Sequence, residues 1–516
     1  MFLNEMSPEQ GEEMASKDVA ENRLETFLAE ASEDKAFAFA FEIPKELPDA
    51  KVYLVGGAVR DLLLGKEAKD FDFIITGVPK AQLESYLGKL GKIAAVESRA
   101  FGVFKFVPKD TKLKEPYDVA LPRTEHWTGL GYKDVQVAST HNLPVEEDLR
   151  RRDFTINAMA VDMLSGKLVD EFGGLGDLEN KIVRAVGEPG ERFLEDPSRM
   201  LRAIRIACQM RFEIEKETWR TIKDNITEIN QVYSEKGQEK TRVASEVMGK
   251  EFLRSLQADP VRTVKLLDEA GALPLLLPEV SACKGVPQPP QFHGEGDVFE
   301  HTLIGLEKLP KNCSLEVKLA MLFHDIGKPD TITQPVDETD RLRFNEHDRL
   351  GAEMTEKIIN RLKLFDLDFQ EVPFLVKNHM IAVSGSVEKM KWTTLEKYFL
   401  KNKKWGDNLL ILSQADVSAT IPASGKPDFT AYERLEQKIE EVKHKLKFEV
   451  TPPKDLLTGN EIMAELNIAE GPQIGQFKAQ LREQQLAGKI KDRAAALKAL
   501  KLIWLQLQTG LDKNTK

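Results

Sequence analysis

Asp70 and Asp72 flank Phe71 in the run DFDFIIT, where aromatic and β-branched residues predict a strand. Side chains two apart on a strand share a face, so this spacing aims both carboxylates one way and Phe71 and Phe73 the other, into a core. Paired carboxylates in apolar surroundings repel one another. A hard cation such as Mg2+ relieves that repulsion and keeps coordination positions open for phosphates. The alternative is a solvated strand edge with two exposed acids. The segment ahead, KVYLVGGAVRDLLLG, reads strand, turn, helix: Gly56 and Gly57 break an apolar run and helical spacing follows. A glycine turn at a helix start lets backbone N–H groups approach an anion, and Arg60, one turn on, is spaced to clamp a triphosphate. Asp118, in YDVALPRTE, belongs to a later strand that can lie beside the first; it is either a third carboxylate of a two-metal site or an ordinary strand-end aspartate.

The elements that must position these groups come from a chain of 516 residues, long enough for three or more domains, with 41% hydrophobic and 30% charged residues, as in soluble globular proteins. Cys208, Cys283 and Cys313 lie far apart, which excludes a disulfide framework or a CxxC metal knuckle and fits a reducing cytoplasm. The first residues are acidic, and no stretch approaches the roughly 20 apolar residues needed to cross a bilayer, so a protein neither secreted nor membrane-spanning is expected. A net charge of −11 argues against broad, non-specific affinity for nucleic acid while leaving room for a local basic groove.

The pattern divides the chain into an acidic, frayed helical extension (1–44), a strand-and-helix head (45–175), a helical neck (176–258), a helical block holding most of the histidines (259–430) and a Lys-rich helical tail (431–516). In FLEDPSRMLRAIRIACQMRF, Leu201, Ile204, Ala207 and Cys208 form an apolar stripe, while Arg199, Arg202 and Arg205 spread over the polar face. Asp196 precedes Pro197 and caps the start of this helix; with Arg199 three residues on, it also has the acceptor and donor types that read the Watson–Crick edge of a base.

GGAVRDLLLG with DFDF, then RRDFTINAMA, DEFGGLGDL and EDPSRMLRAIR, resemble in order the motifs of class II tRNA nucleotidyltransferases, the CCA-adding enzymes and their bacterial poly(A) polymerase relatives. The resemblance covers about residues 50–250. It implies an α+β fold, with a polymerase-beta-type head followed by all-α neck, HD and C-terminal regions. It also implies metals on Asp70 and Asp72, triphosphate on Gly57 and Arg60, and ribose or phosphate contact by Arg152. Asp196 and Arg199 would select CTP or ATP, with Arg202 and Arg205 supporting the nucleotide. GQEKTRVASEVMGKEF, with Arg242 and Glu246, departs from the family's last neck motif in its lead-in and carries no site assignment.

Downstream, four of the eight histidines, His301, His324, His347 and His379, fall in a helical block with HDIGKP and QADVSAT. His301, His324, Asp325 and Asp416 are ligand types for one or two divalent ions, Mn2+, Ni2+, Fe2+ or Mg2+. The pattern resembles the HD superfamily of metal-dependent phosphohydrolases, which puts those four on the core positions and His347 and His379 on accessory ones. The tail bears Lys478, Lys489, Lys491, Arg493 and Lys498, either an RNA-backbone surface or a solvated helical face. The expectation is a cytoplasmic enzyme that completes or repairs tRNA 3′ ends with CTP and ATP, with Mg2+ in the head and a transition metal or Mg2+ in the HD region. The alternatives are an A-adding enzyme or poly(A) polymerase, or a nucleotide phosphohydrolase with a nucleotide-binding head.

Overall fold

The computed structural model describes residues 17–511 except 95–101, 112, 114, 128–134, 236–237, 337–340, 383–386, 423 and 447–452. The chain forms two compact units, Met1–Leu275 and Leu276–Lys516.

In the first unit α1 (Lys17–Glu33) and α2 (Ala38–Glu46) precede β1 (Lys51–Val55), α3 (Gly57–Leu63), β2 (Asp72–Thr76), α4 (Lys80–Leu90), β3 (Gly91–Ala94), β4 (Val103–Pro108) and β5 (Tyr117–Ala120). A hairpin of β6 (Arg123–Trp127) and β7 (Val135–Ser139) follows, then α5 (Val145–Arg150), β8 (Ala160–Asp162) and β9 (Leu168–Val169). The sheet order is β3-β4-β5-β2-β1-β8-β9, with β2 and β5 parallel and every other neighbour antiparallel. Every residue of β2 after Asp72 is buried, as a central strand covered on both faces requires.

Two sequence expectations change here. β2 begins at Asp72, so Asp70 lies in the exposed approach to the strand and does not share its pleat. The strand loses two residues from its expected start because β1 pairs with it only from Asp72 to Thr76. The helical extension, expected to be frayed, is packed, with Ala20, Leu24 and Ala31 buried. Phe37 meets Phe71, Phe73 and Tyr117, and Phe39 meets Phe73 and Phe106, at centroid separations of 5.0–6.3 Å. That aromatic layer covers one face of the sheet and supports the Asp72 strand from behind. Phe71 and Phe73 do face this core, as their spacing predicts.

The neck comprises α6 (Gly174–Glu179), α7 (Pro189–Glu195), α8 (Ser198–Met210), α9 (Lys216–Asn225), α10 (Ser245–Ala258) and α11 (Pro260–Glu269). The stripe Leu201, Ile204, Ala207 and Cys208 is buried where α8 packs on α10 and α11. The first unit ends after Leu275. Asp259 caps α11, where the Arg262 N–H donates to it. Thr263 on α11 is buried against Ser255, with 2.8 Å between the hydroxyls.

The second unit carries α13 (Pro278–Ser281), after α12 (Leu273–Leu276) spans the division, then α14 (Val298–Lys308), α15 (Leu315–Phe323), α16 (Lys328–Thr331), α17 (His347–Leu362) and α18 (Glu371–Asn378). Next come α19 (Trp392–Leu395), α20 (Lys403–Ala419) and α21 (Thr430–Leu446), and finally α22 (Gly459–Leu466), α23 (Pro472–Leu486) and α24 (Arg493–Leu511). Helices α14, α15, α18 and α20 pack on one another, and α17 lies along α18. The tail helices have their own core, with Ile462, Phe477 and Leu500 at its centre.

Candidate active and metal sites

The glycine turn between β1 and α3 owes its shape to Gly56. Its φ of +78° suits no L side chain, and a Cβ there would lie 2.6 Å from Nη1 of Arg152. Gly57, in contrast, leaves ordinary room, with its nearest neighbour 3.5 Å away at Arg60. The sequence points to both glycines, and the geometric demand falls on the first. Gly56→Ala is expected to lose about 1–3 kcal/mol of stability from backbone strain and to displace Arg152. Chemical denaturation, together with the KM for nucleotide, checks both.

Beside that turn, Asp72 on β2 stands directly across from Asp118 on the parallel β5. Lys105 of β4 reaches Oδ2 of Asp118 at 2.8 Å, while Oδ1 of Asp118 is buried with no hydrogen-bond partner. Burial pushes Asp72 up to about 6; Arg152 and Lys105 pull against this, and the Asp118 and Asp70 carboxylates add to the rise. An orphaned carboxylate oxygen next to a carboxyl that resists ionisation is what a bound divalent cation would satisfy, so these side chains fit a hard metal. Asp70, Asp72 and Asp118 do not close within 4.8 Å of one another. Among the described residues, the groups of three ligand atoms that do so all lie in the second unit.

The arginines named from the sequence join one polar line. Arg60 donates to Asn157 Oδ1 at 2.7 Å, and Asn157 donates to Asp153 at 3.1 Å. Asp153 accepts from Arg202 at 3.1 Å, and Glu251 on α10 takes both Arg202 (3.5 Å) and Arg205 (2.5 Å). Burial opposes ionisation of Asp153, but the Arg202 guanidinium and the Asn157 amide hold its carboxyl below the ordinary range. Arg152 rests on the fully buried Asp148, 3.3 Å away, which also binds Arg151. Arg199 is buried and donates to Glu195 and to the main-chain oxygens of Arg192 and Arg151. Asp196 accepts from both the N–H and the hydroxyl of Ser198, closing the turn into α8. Sequence reasoning missed Asp153, Asn157 and Glu251. The first two were visible as the polar residues of RRDFTIN, whereas Glu251 gave no local sign.

In the second unit the six expected ligands converge. Asp325 lies at the centre, 3.1 Å from His324 Nε2 and 3.9 Å from His301 Nε2 through one oxygen, and 3.4 and 3.8 Å from the Nε2 atoms of His347 and His379 through the other. Asp416 approaches His301 at 3.0 Å and His324 at 3.7 Å. His301, His324 and Asp325 form one ligand group and Asp325, His347 and His379 another, with Asp325 common to both. Every imidazole is oriented alike. Nδ1 of His324, His347 and His379 donates to the carbonyls of Met321, Phe344 and Val376, and Nδ1 of His301 donates to Glu295, all at 2.7–2.8 Å. Each Nε2 is thereby left as the metal-facing nitrogen. Nε2 of His324 and Oδ1 of Asp325 are buried without hydrogen-bond partners, so the donor set fits divalent ions.

The local fold explains this convergence. His324 and Asp325 end α15, and Gly327 lets that end pass α17: a Cβ there would meet the His347 carbonyl at 2.2 Å. Burial disfavours the charged forms throughout. Even so, Asp416 and Glu295 raise His301 to about 9, while His379, buried and facing His324 and His347, falls to about 4. Glu295 and its second partner His293, 2.7 Å away, were not anticipated; they sit in a Pro- and Gly-rich loop without periodicity. Lys328, 2.6 Å from Asp325, was visible only as the lysine of HDIGKP.

A sheet carrying paired carboxylates beside a glycine turn, and a helical His/Asp cluster with a shared aspartate, define a nucleotidyltransferase head and an HD domain on one chain. Residues 52–184 match the Poly A polymerase head domain family and residues 298–420 the HD domain family. The chain is 38% identical over 316 residues to the multifunctional CCA protein of Neisseria meningitidis serogroup A, covering 61% of this chain and 68% of that protein. It is 37% identical over 336 residues to the multifunctional CCA protein of Acinetobacter baumannii strain AYE, covering 64% and 74%. The chain belongs to the multifunctional CCA protein family. Its fold is similar to the Bacillus stearothermophilus CCA-adding enzyme in complex with CTP (TM-score 0.60, 20% identity, 93% of this chain and 98% of that one). It is also similar to the Thermotoga maritima CCA-adding enzyme complexed with tRNA (TM-score 0.58, 18% identity, 93% and 98%). Among the described residues no helix is long and apolar enough to cross a membrane.

Proposed function

We propose that this protein adds C and A nucleotides, from CTP and ATP, to the 3′ end of tRNA without a nucleic-acid template, and that its HD domain hydrolyses phosphate esters of nucleotides or RNA ends. The observation that carries the first part is the Asp72–Asp118 pair, with its orphaned oxygen, beside the Gly56 turn in a chain of this family. Asp70, Asp72 and Asp118 hold Mg2+ in this reading. The metal supplies activation of the RNA 3′ hydroxyl and charge neutralisation at the leaving pyrophosphate. The backbone at Gly57, with Arg60 and Arg152, holds the triphosphate, Asp196 and Arg199 meet the base, and Arg202 and Arg205 fix the helix that presents them. The three cysteines, all free and buried, suit a reducing cytoplasm as the place of action. The five-part division of head, neck, HD and tail regions after an N-terminal extension is part of the same reading, with the neck extended to Leu275.

Offering the purified enzyme tRNAs that lack three, two or one terminal nucleotides, with labelled CTP or ATP, tests this reading. Extension of all three supports full CCA addition. Extension only of the tRNA lacking one nucleotide identifies an A-adding enzyme, and no extension leaves a phosphohydrolase with a nucleotide-binding head. Asp196→Ala and Arg199→Ala are each expected to relax selection of CTP and ATP against UTP and GTP by about 10- to 100-fold, the effect of removing one or two hydrogen bonds to a base. Competition assays with all four triphosphates measure it; unchanged selectivity in both variants leaves only the cap at Ser198 and the packing against Arg151.

In the HD domain the cluster around Asp325 takes Ni2+, Mn2+, Fe2+ or Mg2+. His301, His324, Asp325 and Asp416 form the core set and His347 and His379 the second, with 2′,3′-cyclic phosphates and simple phosphate esters as substrates.

A further inference from the structure

Next to the second ligand group the surface opens into a cavity of about 520 Å3 whose wall includes Asp348, Lys377, Asn378, Met380, Lys389 and Lys391. Asn378 and Met380 are the chain neighbours of His379, and Asp348 is that of His347. Consecutive Cα atoms are about 3.8 Å apart, so the wall begins within one residue of two metal-facing histidines. His347 is also, with Asp416, the ligand whose side chain stays most exposed, at 8% and 7%.

The cavity carries three ammonium groups against one carboxylate, and none of the three has an ion-pair or hydrogen-bond partner among the described residues. The adjacent Glu388 is held by Arg434 at 2.9 Å. The segment bearing Lys389 and Lys391 is fixed at both ends. The buried Lys438 of α21 donates to the carbonyls of Val387 and Glu388, and Glu483 of α23 accepts the N–H groups of Trp392 and Thr393 at 2.8 and 2.9 Å. Lys445 also lies 4.5 Å from the Trp392 ring centre. Two lysines on a doubly anchored strap thus line the same cavity as a third, with the backbone that carries them held in place.

We infer that this cavity binds the phosphodiester preceding the scissile phosphate, so that the HD domain acts on the 3′ end of an RNA strand in preference to a mononucleotide. The inference rests on the HD hydrolase reading above. A mononucleotide fills only the metal cluster, whereas an oligonucleotide carries a further phosphate that reaches Lys377, Lys389 and Lys391.

The test compares the full-length protein with its Lys389→Ala/Lys391→Ala variant, supplied with Mn2+ or Ni2+, on adenosine 2′,3′-cyclic phosphate and on a pentanucleotide ending in a 2′,3′-cyclic phosphate. The variant is expected to lose about tenfold in kcat/KM on the pentanucleotide and to stay within about twofold on the mononucleotide. The slope of log kcat/KM against log salt should become shallower by about 0.7, the share of one lost single-strand phosphate contact. Lys389→Arg/Lys391→Arg should restore most of the rate. In mass-spectrometric footprinting of wild-type protein, the pentanucleotide should slow acetylation of Lys389 and Lys391, and the mononucleotide should not. Equal losses on both substrates, or none on either, would overturn the inference. A wild-type enzyme that cleaves neither would remove the hydrolase reading instead, and this substrate assignment with it.

Discussion

Asp72→Ala lowers the rate of nucleotide addition by about a thousandfold or more, the consequence of losing several kcal/mol of metal-borne transition-state stabilisation. Binding of tRNA should remain within about threefold, because the carboxylate serves the metal and the triphosphate and not the RNA backbone. Incorporation of labelled CTP, alongside tRNA binding by filter retention, reads both. Near-normal turnover would remove Asp72 from the metal site. The conservative variant Asp72→Asn separates chemistry from folding. A carboxyl whose folded-state pKa is raised above its ordinary value loses stability as the proton departs, so the metal-free protein weakens as pH rises from the ordinary carboxylate range through about 6. At neutral pH without metal, Asp72→Asn should therefore melt no lower than wild type while failing to add nucleotides. A clear drop in its melting temperature would mean that the charge serves the fold.

Asp325→Ala abolishes phosphate-ester hydrolysis and leaves nucleotide addition intact. Asp325 faces all four histidines and is common to both ligand groups, so its removal should disrupt both ion positions at once. The fall is expected to reach about a thousandfold, with a parallel loss of bound transition metal from the full-length protein by elemental analysis. Lys328 would then sit buried without its 2.6 Å partner, so Asp325→Asn, which keeps a polar acceptor there, guards against misreading a folding defect. Persistent hydrolysis in both variants would refute the HD assignment, and loss of tRNA extension in Asp325→Asn would refute the independence of the two activities.

What the sequence discloses depends on whether the signal is local. The head motifs and the helix bearing Arg199, Arg202 and Arg205 are carried by short runs whose spacing is their geometry, whereas the six HD ligands, spread from His301 to Asp416, are legible by residue type and by the HDIGKP and QADVSAT runs. Asp70 was misread because DFDFIIT alternates cleanly into it, while pairing with β1 stops at Asp72. The packed extension was legible in retrospect: three phenylalanines in the five residues Phe37–Phe41 are not left to solvent by a frayed helix. Glu251 and Glu295 could not be found at all, since each matters only through partners that the chain brings from elsewhere, Arg202 and Arg205 for one and His293 and His301 for the other.

The line from Arg60 through Asn157, Asp153 and Arg202 to Glu251 and Arg205 bears on how this protein can change over time. Each member balances the charge or hydrogen bonding of the next, so altering one strands its neighbour in a buried setting, and the harm of a second change depends on whether the first has been made. Such epistasis makes the route between one nucleotide preference and another narrow. Drift at Arg202 or Arg205 is tolerable only in company with Glu251 on α10, a position far off in the chain that touches no substrate in the reading given above. The neck helix would then be as constrained in its history as the residues at the reacting centre.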